Sequence, residues 1–138
     1  MQQEIVVQAH ETEIACMSIS QDGKMIATAS KKGTLIRVFD ATGKKIKEFR
    51  RGSKDTHILS IAFSAFNKLL ACTSSKGTVH IFRLEDGPNS KSALNFMGKL
   101  GMNYFESEWS FARFRLSDHN AICAFGPEEN LLLGIASN

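Results

Sequence analysis

Two adjacent arginines followed by a glycine offer the clearest chemistry in this sequence, in the tetrapeptide Phe49-Arg50-Arg51-Gly52. A guanidinium group donates two parallel hydrogen bonds to the oxygens of a phosphate monoester, whereas a lysine acts as a point charge. Successive side chains of an extended strand point to opposite faces, so we expect Arg50 and Arg51 to line two separate pockets. Gly52 allows a sharp turn and a close approach of the backbone to a bound group.

Hydroxyl side chains occur in pairs around this tetrapeptide because the flanking sequence is duplicated. Residues 27–34 recur at 71–78 with a gapless offset of 44 positions, and Gly33 and Gly77 occupy the same place in the two copies. The equivalent hydroxyls are Ser30 with Ser74 and Thr34 with Thr78. A period of about 40 to 45 residues is typical of the blades of a β-propeller. The duplication therefore predicts two similar polar pockets on either side of one arginine pair.

The net charge of +3 is unevenly distributed. Residues 24–54 include ten basic and two acidic side chains, which gives this segment +8 and leaves the rest of the chain at −5. Such a patch predicts an anionic partner, for example the phosphate groups of lipids or nucleic acids. Lysines also protect sheet edges against association, and this alternative accounts for part of the lysine content but not for the arginine pair.

Motifs of enzymes are missing from the sequence. It contains no paired-carboxylate site, no Gly-x-Ser-x-Gly, no Gly-x-x-x-x-Gly-Lys and no His/Cys/Asp cluster at metal spacing, so we expect no catalysis, metal or cofactor. Cys16, Cys72 and Cys123 lie in apolar runs, which favours reduced core thiols of a cytosolic protein. A signal peptide and an apolar run of about 18 residues are both absent, so we expect any membrane contact to be peripheral.

Short apolar and β-branched runs alternate with turns rich in glycine, aspartate and asparagine, which is typical of antiparallel sheets. The predicted strands are residues 5–8, 14–19, 25–29, 35–39, 45–49, 58–63, 69–73, 79–84, 111–116, 122–125 and 131–135. Helical periodicity is absent from the region that ends at residue 84. The sequence therefore predicts an all-β fold.

A long connection at residues 85–110 interrupts this rhythm, and loops of such length are usually functional. Its second half is almost free of charge, and its large apolar side chains include Leu94, Phe96, Met97, Leu100, Tyr104 and Phe105. An amphipathic turn or short helix is one interpretation, although Gly98 and Gly101 weaken it. The alternative is a local cap that folds back onto the edge of the sheet.

These features resemble the PROPPIN family of seven-bladed WD40-like propellers that bind phosphoinositides. The resemblance covers essentially the whole chain and rests on Ala9-His10, on the segments 33–40, 77–82, 109–111 and 122–126, and on Phe49-Arg50-Arg51-Gly52 between two blades. It implies a partial propeller of about two and a half four-stranded antiparallel blades of an expected seven. Residues 1–9 would be the last strand of one blade, 10–49 a fifth blade, 53–116 a sixth blade with the loop 85–110, and 117–138 the start of a seventh.

The resemblance also implies two sites for phosphatidylinositol 3-phosphate and the 3,5-bisphosphate. One site would consist of His10, Ser30, Thr34, Arg37 and Arg50. The other would consist of Arg51, Thr56, Ser74, Thr78 and His80. The six apolar loop residues named above would form the family's membrane-inserting loop, which adds a second weak anchor to headgroup binding.

The resemblance places the protein in the cytoplasm, peripheral on autophagosomal precursor, endosomal or lysosomal and vacuolar membranes. Its implied partners are autophagy proteins, namely a lipid-transfer protein and the conjugation machinery. A generic WD40 scaffold for proteins stays open, because it would share the repeat without needing the arginine pair. A nucleic-acid binder would share the basic patch, but we expect none, because only Phe39 and Phe49 provide aromatic rings between residues 24 and 54.

Overall fold

The computed structural model describes residues 3–85, 108–128 and 132–136, and the regular elements in these ranges are β-strands. In chain order they are β1 (Ile14–Ile19), β2 (Met25–Ser30), β3 (Leu35–Asp40), β4 (Lys45–Arg50), β5 (Ile58–Phe63), β6 (Leu69–Ser74), β7 (Thr78–Arg83), β8 (Glu108–Trp109), β9 (Ala112–Arg115), β10 (Ala121–Phe125) and β11 (Leu132–Ala136). The predicted all-β fold is confirmed, and most predicted strands agree with the observed ones to within one residue at either end.

The strands form three sheets. The first has the order β1-β2-β3-β4-β8, the second β5-β6-β7-β9, and the third is the pair β10-β11. Neighbouring strands are antiparallel except β4 and β8, which run parallel and pair Phe49 with Glu108 and Arg50 with Trp109. The first sheet thus differs from the predicted four-stranded antiparallel blade, because a short strand covers backbone groups of β4 that an edge strand leaves unpaired.

Small polar side chains close the tight turns between strands. Asp40 Oδ1 accepts hydrogen bonds from the backbone N–H of Thr42 at 2.9 Å and of Lys44 at 3.1 Å, in the turn between β3 and β4. Ser20 Oγ accepts from the Met25 N–H at 2.9 Å in the turn between β1 and β2. Side chains of this kind favour turns over regular elements because they satisfy backbone groups locally, so they fix where each strand ends.

The core lies between the first and second sheets. Its buried side chains from the first sheet are Ala27, Ala29, Ile36, Val38 and Phe49, and those from the second are Ile58, Ile61, Leu70, Cys72 and Phe82. The rings of Phe49 and Phe82 stack across the interface with their centroids 4.8 Å apart, and both side chains are fully buried. The two copies of the repeat therefore share one core.

The third sheet adjoins the second through β10 and β5. The Cys123 N–H donates to Ser60 Oγ at 3.0 Å, and the same hydroxyl lies 2.8 Å from Thr73 Oγ1. Cys72 and Cys123 are both buried free thiols, and burial raises the pKa of each. Their burial agrees with the prediction of core cysteines.

The predicted strand at residues 5–8 was wrong, because residues 3–10 contain no strand. Ile5 and Val7 pack instead against the turn at Gly43, where a methyl group added to the glycine would lie 2.8 Å and 2.9 Å from their Cγ2 atoms. A strand needs a neighbouring strand that satisfies its N–H and C=O groups, and a turn does not provide one. Apolar character alone therefore predicted the wrong element.

Candidate functional site

The arginine pair lies at the passage from the first sheet to the second. Phe49 is buried in the core, Arg50 ends β4 and is half-buried, and Arg51 is only 8% exposed. The backbone N–H of Arg51 donates to the carbonyl of Thr34 at 2.9 Å. The chain after β4 therefore lies beside the turn between β2 and β3. The two arginines therefore occupy different environments, as their alternation along the strand predicts.

Arg51 connects two backbone segments. Its Nε donates to the carbonyl of Gly33 at 2.5 Å, and its Nη2 donates to the carbonyl of Lys54. These bonds use two of the five N–H groups of the guanidinium. Burial lowers the pKa of Arg51, an effect that nearby Cys72 and Asp55 oppose. In this arrangement, Arg51 holds the turn between β2 and β3 against the segment that leads to β5.

Arg50 lies at the end of β4, next to β8, the outermost strand of the first sheet. Its guanidinium carbon is 6.0 Å from the centroid of the Trp109 ring, a distance at which a cation is attracted to the ring face. Trp109 is the residue of β8 that pairs with Arg50. On β4, Arg50 shares a face with Glu48, because side chains two positions apart along a strand point the same way.

His10, Thr28, Arg37 and Glu48 form a continuous polar network across the first sheet. His10 Nε2 is 2.9 Å from Thr28 Oγ1, and Thr28 lies opposite Arg37 in the β2–β3 register. Arg37 Nε donates to Glu48 Oε1 at 2.6 Å, and its Nη1 donates to the Ala9 carbonyl at 2.6 Å. The guanidinium of Arg37 is therefore engaged by a carboxylate and by the segment that carries His10.

The charges of this network explain its protonation. Burial raises the pKa of Glu48, but the hydrogen bond from Arg37 and the charges of Lys45 and Arg37 outweigh burial and lower it. Burial, followed by the charge of Arg37, lowers the pKa of His10. The network thus contains an ionised Glu48 and a neutral His10 at neutral pH.

The residues assigned to the second site surround the turn between β6 and β7. Thr56 Oγ1 lies 3.0 Å from Ser75 Oγ, and the Thr56 N–H donates to the Lys32 carbonyl at 3.0 Å. Ser74 is 1% exposed, and its Oγ has no hydrogen-bond partner among the described residues. Thr78 is half-buried and pairs with Arg115 of β9. Ser30, assigned to the first site, is buried at the end of β2.

His80 is a buried histidine beside two arginines. It is 4% exposed, and its Nδ1 lies 3.2 Å from Ser110 Oγ. Burial, with the charges of Arg51 and Arg113, lowers the pKa of His80 to about 4. The imidazole is therefore neutral in the folded protein at any pH above that value.

We expect this lowered pKa to make the protein less stable in mild acid. The unfolded chain takes up a proton on His80 near pH 6.5, while the folded chain resists protonation down to about pH 4. The contribution of the neutral His80 imidazole to the unfolding free energy is fully present above pH 6.5, and about 3 kcal/mol of it is lost as the pH falls towards 4. His80→Gln, which cannot be protonated, is expected to reduce the slope of unfolding free energy against pH, measured by urea denaturation. Equal slopes in the two proteins would contradict this origin.

Comparison with known proteins identifies the chain's family. A model of the PROPPIN family matches residues 1–124. The chain belongs to the PROPPIN family. It is 42% identical over 135 residues to autophagy-related protein 18e of Arabidopsis thaliana, an alignment that covers 92% of this chain and 36% of that protein.

Two solved structures extend this similarity to the fold. Hsv2p of Kluyveromyces lactis superimposes with a TM-score of 0.66 at 32% identity, over 85% of this chain and 36% of that one. KlAtg21 in complex with the coiled coil of AgAtg16 superimposes with a TM-score of 0.62 at 31% identity, over 91% of this chain and 36% of that one. The chain spans about a third of the length of these proteins. The predicted partial propeller is confirmed.

Several site assignments in this PROPPIN chain remain predictions after its geometry is known. The structure brings His10 next to the Arg37 network and brings Arg51 close enough to His80 to affect its pKa. It also brings the two predicted sites together, because the turn that precedes Thr34 contacts both Arg51 and Thr56. The six apolar loop residues from Leu94 to Phe105 lie outside the described residues.

Sequence reasoning missed Trp109 as a member of this region. The sequence indicates only that Trp109 belongs to the long connection, whereas in the structure it forms a strand beside Arg50. The alternation of Trp109 and Phe111 with small residues was a signal for an extended segment. Glu48 was also missed, although it stands opposite Arg37 in the β3–β4 register.

The PROPPIN chain shows no metal centre or spanning helix in the ranges that the structure covers. No group of three or more histidine, cysteine, aspartate or glutamate side chains is arranged to hold a metal ion in residues 3–85, 108–128 and 132–136. In the same part of the chain, no helix is long and apolar enough to cross a membrane.

Proposed function

We propose that this PROPPIN chain is a phosphoinositide-binding module that recognises phosphatidylinositol 3-phosphate or the 3,5-bisphosphate on a membrane surface. The observation that carries the proposal is the arginine pair at the passage between two sheets, in a segment of strong positive charge. A guanidinium group can donate two parallel hydrogen bonds to the oxygens of a phosphate monoester. The phosphate monoester is the group that distinguishes these lipids from phosphatidylinositol.

The two arginines contribute to binding in different ways in this proposal. Arg51 is buried and bonded to the carbonyls of Gly33 and Lys54, so it fixes the shape of the turn that bears Thr34. Arg50 is half-buried at the end of β4, where a headgroup has better access than at the buried Arg51. The exposed lysines Lys32 and Lys54, whose backbone carbonyls accept hydrogen bonds from Thr56 and Arg51, add positive charge on the side of Arg51.

The names of the relatives support a role in autophagy. We propose that the whole protein acts in the cytoplasm, as a peripheral protein on autophagosomal precursor, endosomal or lysosomal and vacuolar membranes. It would recruit autophagy proteins there, among them a lipid-transfer protein and the conjugation machinery. The loop residues from Leu94 to Phe105 would add an apolar anchor to headgroup binding, and no catalytic step is part of the proposal.

Replacing Arg50 by threonine is expected to reduce binding to phosphatidylcholine vesicles that contain phosphatidylinositol 3-phosphate to the level of vesicles with phosphatidylinositol alone. The reason is the loss of a charge-assisted, bidentate contact to the phosphate. Co-sedimentation with vesicles of both compositions measures the effect. Lys44→Thr is the matched control, because it removes one exposed positive charge from the turn at the opposite end of β4.

The double variant with threonine at both arginine positions is expected to lose binding as well. It is the less informative protein, since the loss of the Arg51 bonds also weakens the fold. If Arg50→Thr sediments with these vesicles like the unmodified protein, the lipid-binding proposal is wrong. If the unmodified protein binds neither type of vesicle, the result favours the alternative, a WD40 scaffold that binds only proteins.

A further inference from the structure

An exposed serine follows the arginine pair in the segment that connects β4 to β5. This segment contains no strand, and Ser53 and the two residues after it are exposed. Backbone hydrogen bonds hold the segment near its two ends. The Arg51 N–H donates to the Thr34 carbonyl at 2.9 Å, and the Thr56 N–H donates to the Lys32 carbonyl at 3.0 Å. Ser53 therefore lies in the middle of an open connection, where an enzyme can reach its hydroxyl group.

The residues before Ser53 distinguish it from the other exposed hydroxyl groups. In the ranges that the structure describes, the exposed serines and threonines are Thr12, Thr42, Ser53 and Ser117. Among these four, only Ser53 has arginines both two and three positions before it, and the more distant one, Arg50, is half-buried. Ser117 comes nearest to this pattern, but a phenylalanine stands three positions before it. Protein kinases that select basic substrates recognise such a charge pattern ahead of the acceptor.

The charge around Ser53 is small enough for one phosphate group to cancel it. Residues 50–55 include three basic and one acidic side chain, which gives a net charge of +2. A phosphoserine carries a charge of about −1.5 to −2 at pH 7. At position 53 it would be two residues from Arg51 and next to Lys54, so it would compete for these cations as an intramolecular ligand. Phosphorylation of Ser53 therefore opposes the binding of a lipid phosphate at the arginine pair.

We propose that Ser53 is a phosphorylation site, and that its phosphate group prevents the arginine pair from binding phosphoinositides. The inference rests on the proposed function and adds its regulation. A protein kinase that selects basic substrates would transfer the γ-phosphoryl group of ATP to Ser53 Oγ. The bond between Oγ and phosphorus forms while the bond from the γ-phosphorus to the β–γ bridging oxygen breaks. The hydroxyl proton passes to a base of the kinase, and ADP leaves.

The catalytic subunit of cAMP-dependent protein kinase, with ATP and Mg²⁺, is a suitable probe for the full chain. We expect it to add a phosphate group at Ser53, located by mass spectrometry of the peptides. The phosphorylated protein is expected to bind phosphatidylcholine vesicles with phosphatidylinositol 3-phosphate at least about tenfold more weakly in co-sedimentation. Ser53→Ala, treated in the same way, should bind these vesicles like the untreated protein. Cooperative unfolding in urea checks that the phosphorylated protein is folded.

Two charge variants repeat the test without a kinase. Ser53→Glu is expected to weaken vesicle binding about three- to fivefold, less than the phosphate does, because a carboxylate carries a single negative charge. Gln21→Glu is the matched control, since it changes the net charge equally in the exposed turn between β1 and β2. That turn lies at the opposite end of β2 from the turn that contacts Arg51. The control should bind vesicles like the unmodified protein.

Lipid binding and phosphorylation are expected to oppose each other in both directions, because the coupling between two binding events is reciprocal. Vesicles that contain phosphatidylinositol 3-phosphate should therefore slow the phosphorylation of Ser53. Vesicles of phosphatidylcholine alone should leave its rate unchanged.

Each contrary result has its own meaning. If Ser53 of the folded chain stays unmodified, the segment does not present its hydroxyl group, and only this inference is wrong. If the phosphorylated protein and Ser53→Glu bind the vesicles like the untreated protein, again only this inference is wrong. If Gln21→Glu weakens binding as much as Ser53→Glu, the effect comes from net charge, and the role of Ser53 is overturned. If the untreated protein binds no phosphoinositide vesicle, the proposed function and this inference both fail.

Discussion

Gly33→Ala is expected to destabilise the protein by more than about 4 kcal/mol, or to prevent it from folding. Gly33 has a φ of +65° in the turn between β2 and β3, and an added methyl group would overlap the carbonyl oxygen of Thr56. That oxygen belongs to backbone at the start of the second repeat, so it cannot move aside as a flexible side chain would. The positive φ adds about 1 to 2 kcal/mol for a residue with a side chain.

Gly23→Ala is the matched control for this prediction. Gly23 has a similar φ of +72°, but a methyl group there would meet no atom within 4 Å. We therefore expect Gly23→Ala to cost only about 1 to 2 kcal/mol, which is the price of the backbone conformation alone. Urea denaturation of the two variants separates close packing from backbone strain. Similar losses of unfolding free energy would show that the contact with Thr56 is unimportant.

Phe82→Ala is expected to lower the free energy of unfolding by about 3 to 5 kcal/mol, as is usual for a large ring removed from a packed core. Phe82 is fully buried and stacks on Phe49, which comes from the other sheet. The change therefore leaves a cavity between the two repeats and removes an aromatic contact across them.

Phe114→Ala provides the comparison for Phe82. Phe114 is 44% exposed on β9, at the edge of the same sheet. We expect its replacement to change the unfolding free energy by about 1 kcal/mol or less, because much of the ring is already exposed and its removal therefore loses little buried apolar surface. Thermal or urea unfolding measures both variants. A loss at Phe82 no larger than that at Phe114 would contradict the assignment of a shared core.

The strands and turns could be predicted because they depend on local features. β1 and β5 have the bounds that the apolar runs indicate, and the glycines at positions 33 and 77 both have positive φ. The register between strands could not be predicted from the repeat. Ala29 pairs with Ile36 in the first copy, whereas Thr73 pairs with Val79 in the second, so the second hairpin is tighter by one residue. Equal spacing in sequence does not fix the register between the strands, because a turn of either length satisfies its own backbone hydrogen-bonding groups.

The candidate site was predictable in its residue types but not in their environments. Alternation along β4 indicates that Arg50 and Arg51 differ, but it does not indicate that Arg51 is the buried one. That depends on the turn at Gly33, which belongs to another part of the chain. The contact between Arg50 and Trp109 joins residues far apart in sequence, and a local alternation of apolar and small residues does not indicate which strand the segment will pair with.

The pairing of β8 with β4 has a mechanical consequence. Glu85 follows a strand of the second sheet, while Glu108 begins a strand of the first, so the ends of the intervening segment are attached to different sheets. β8 is attached to β4 by two residue pairs, and β9 is attached to β7 by four. A force transmitted through this segment would therefore peel β8 from β4 before it disturbed β9. On that side of the segment, β8 would therefore detach first and leave the pairing of β9 with β7 in place.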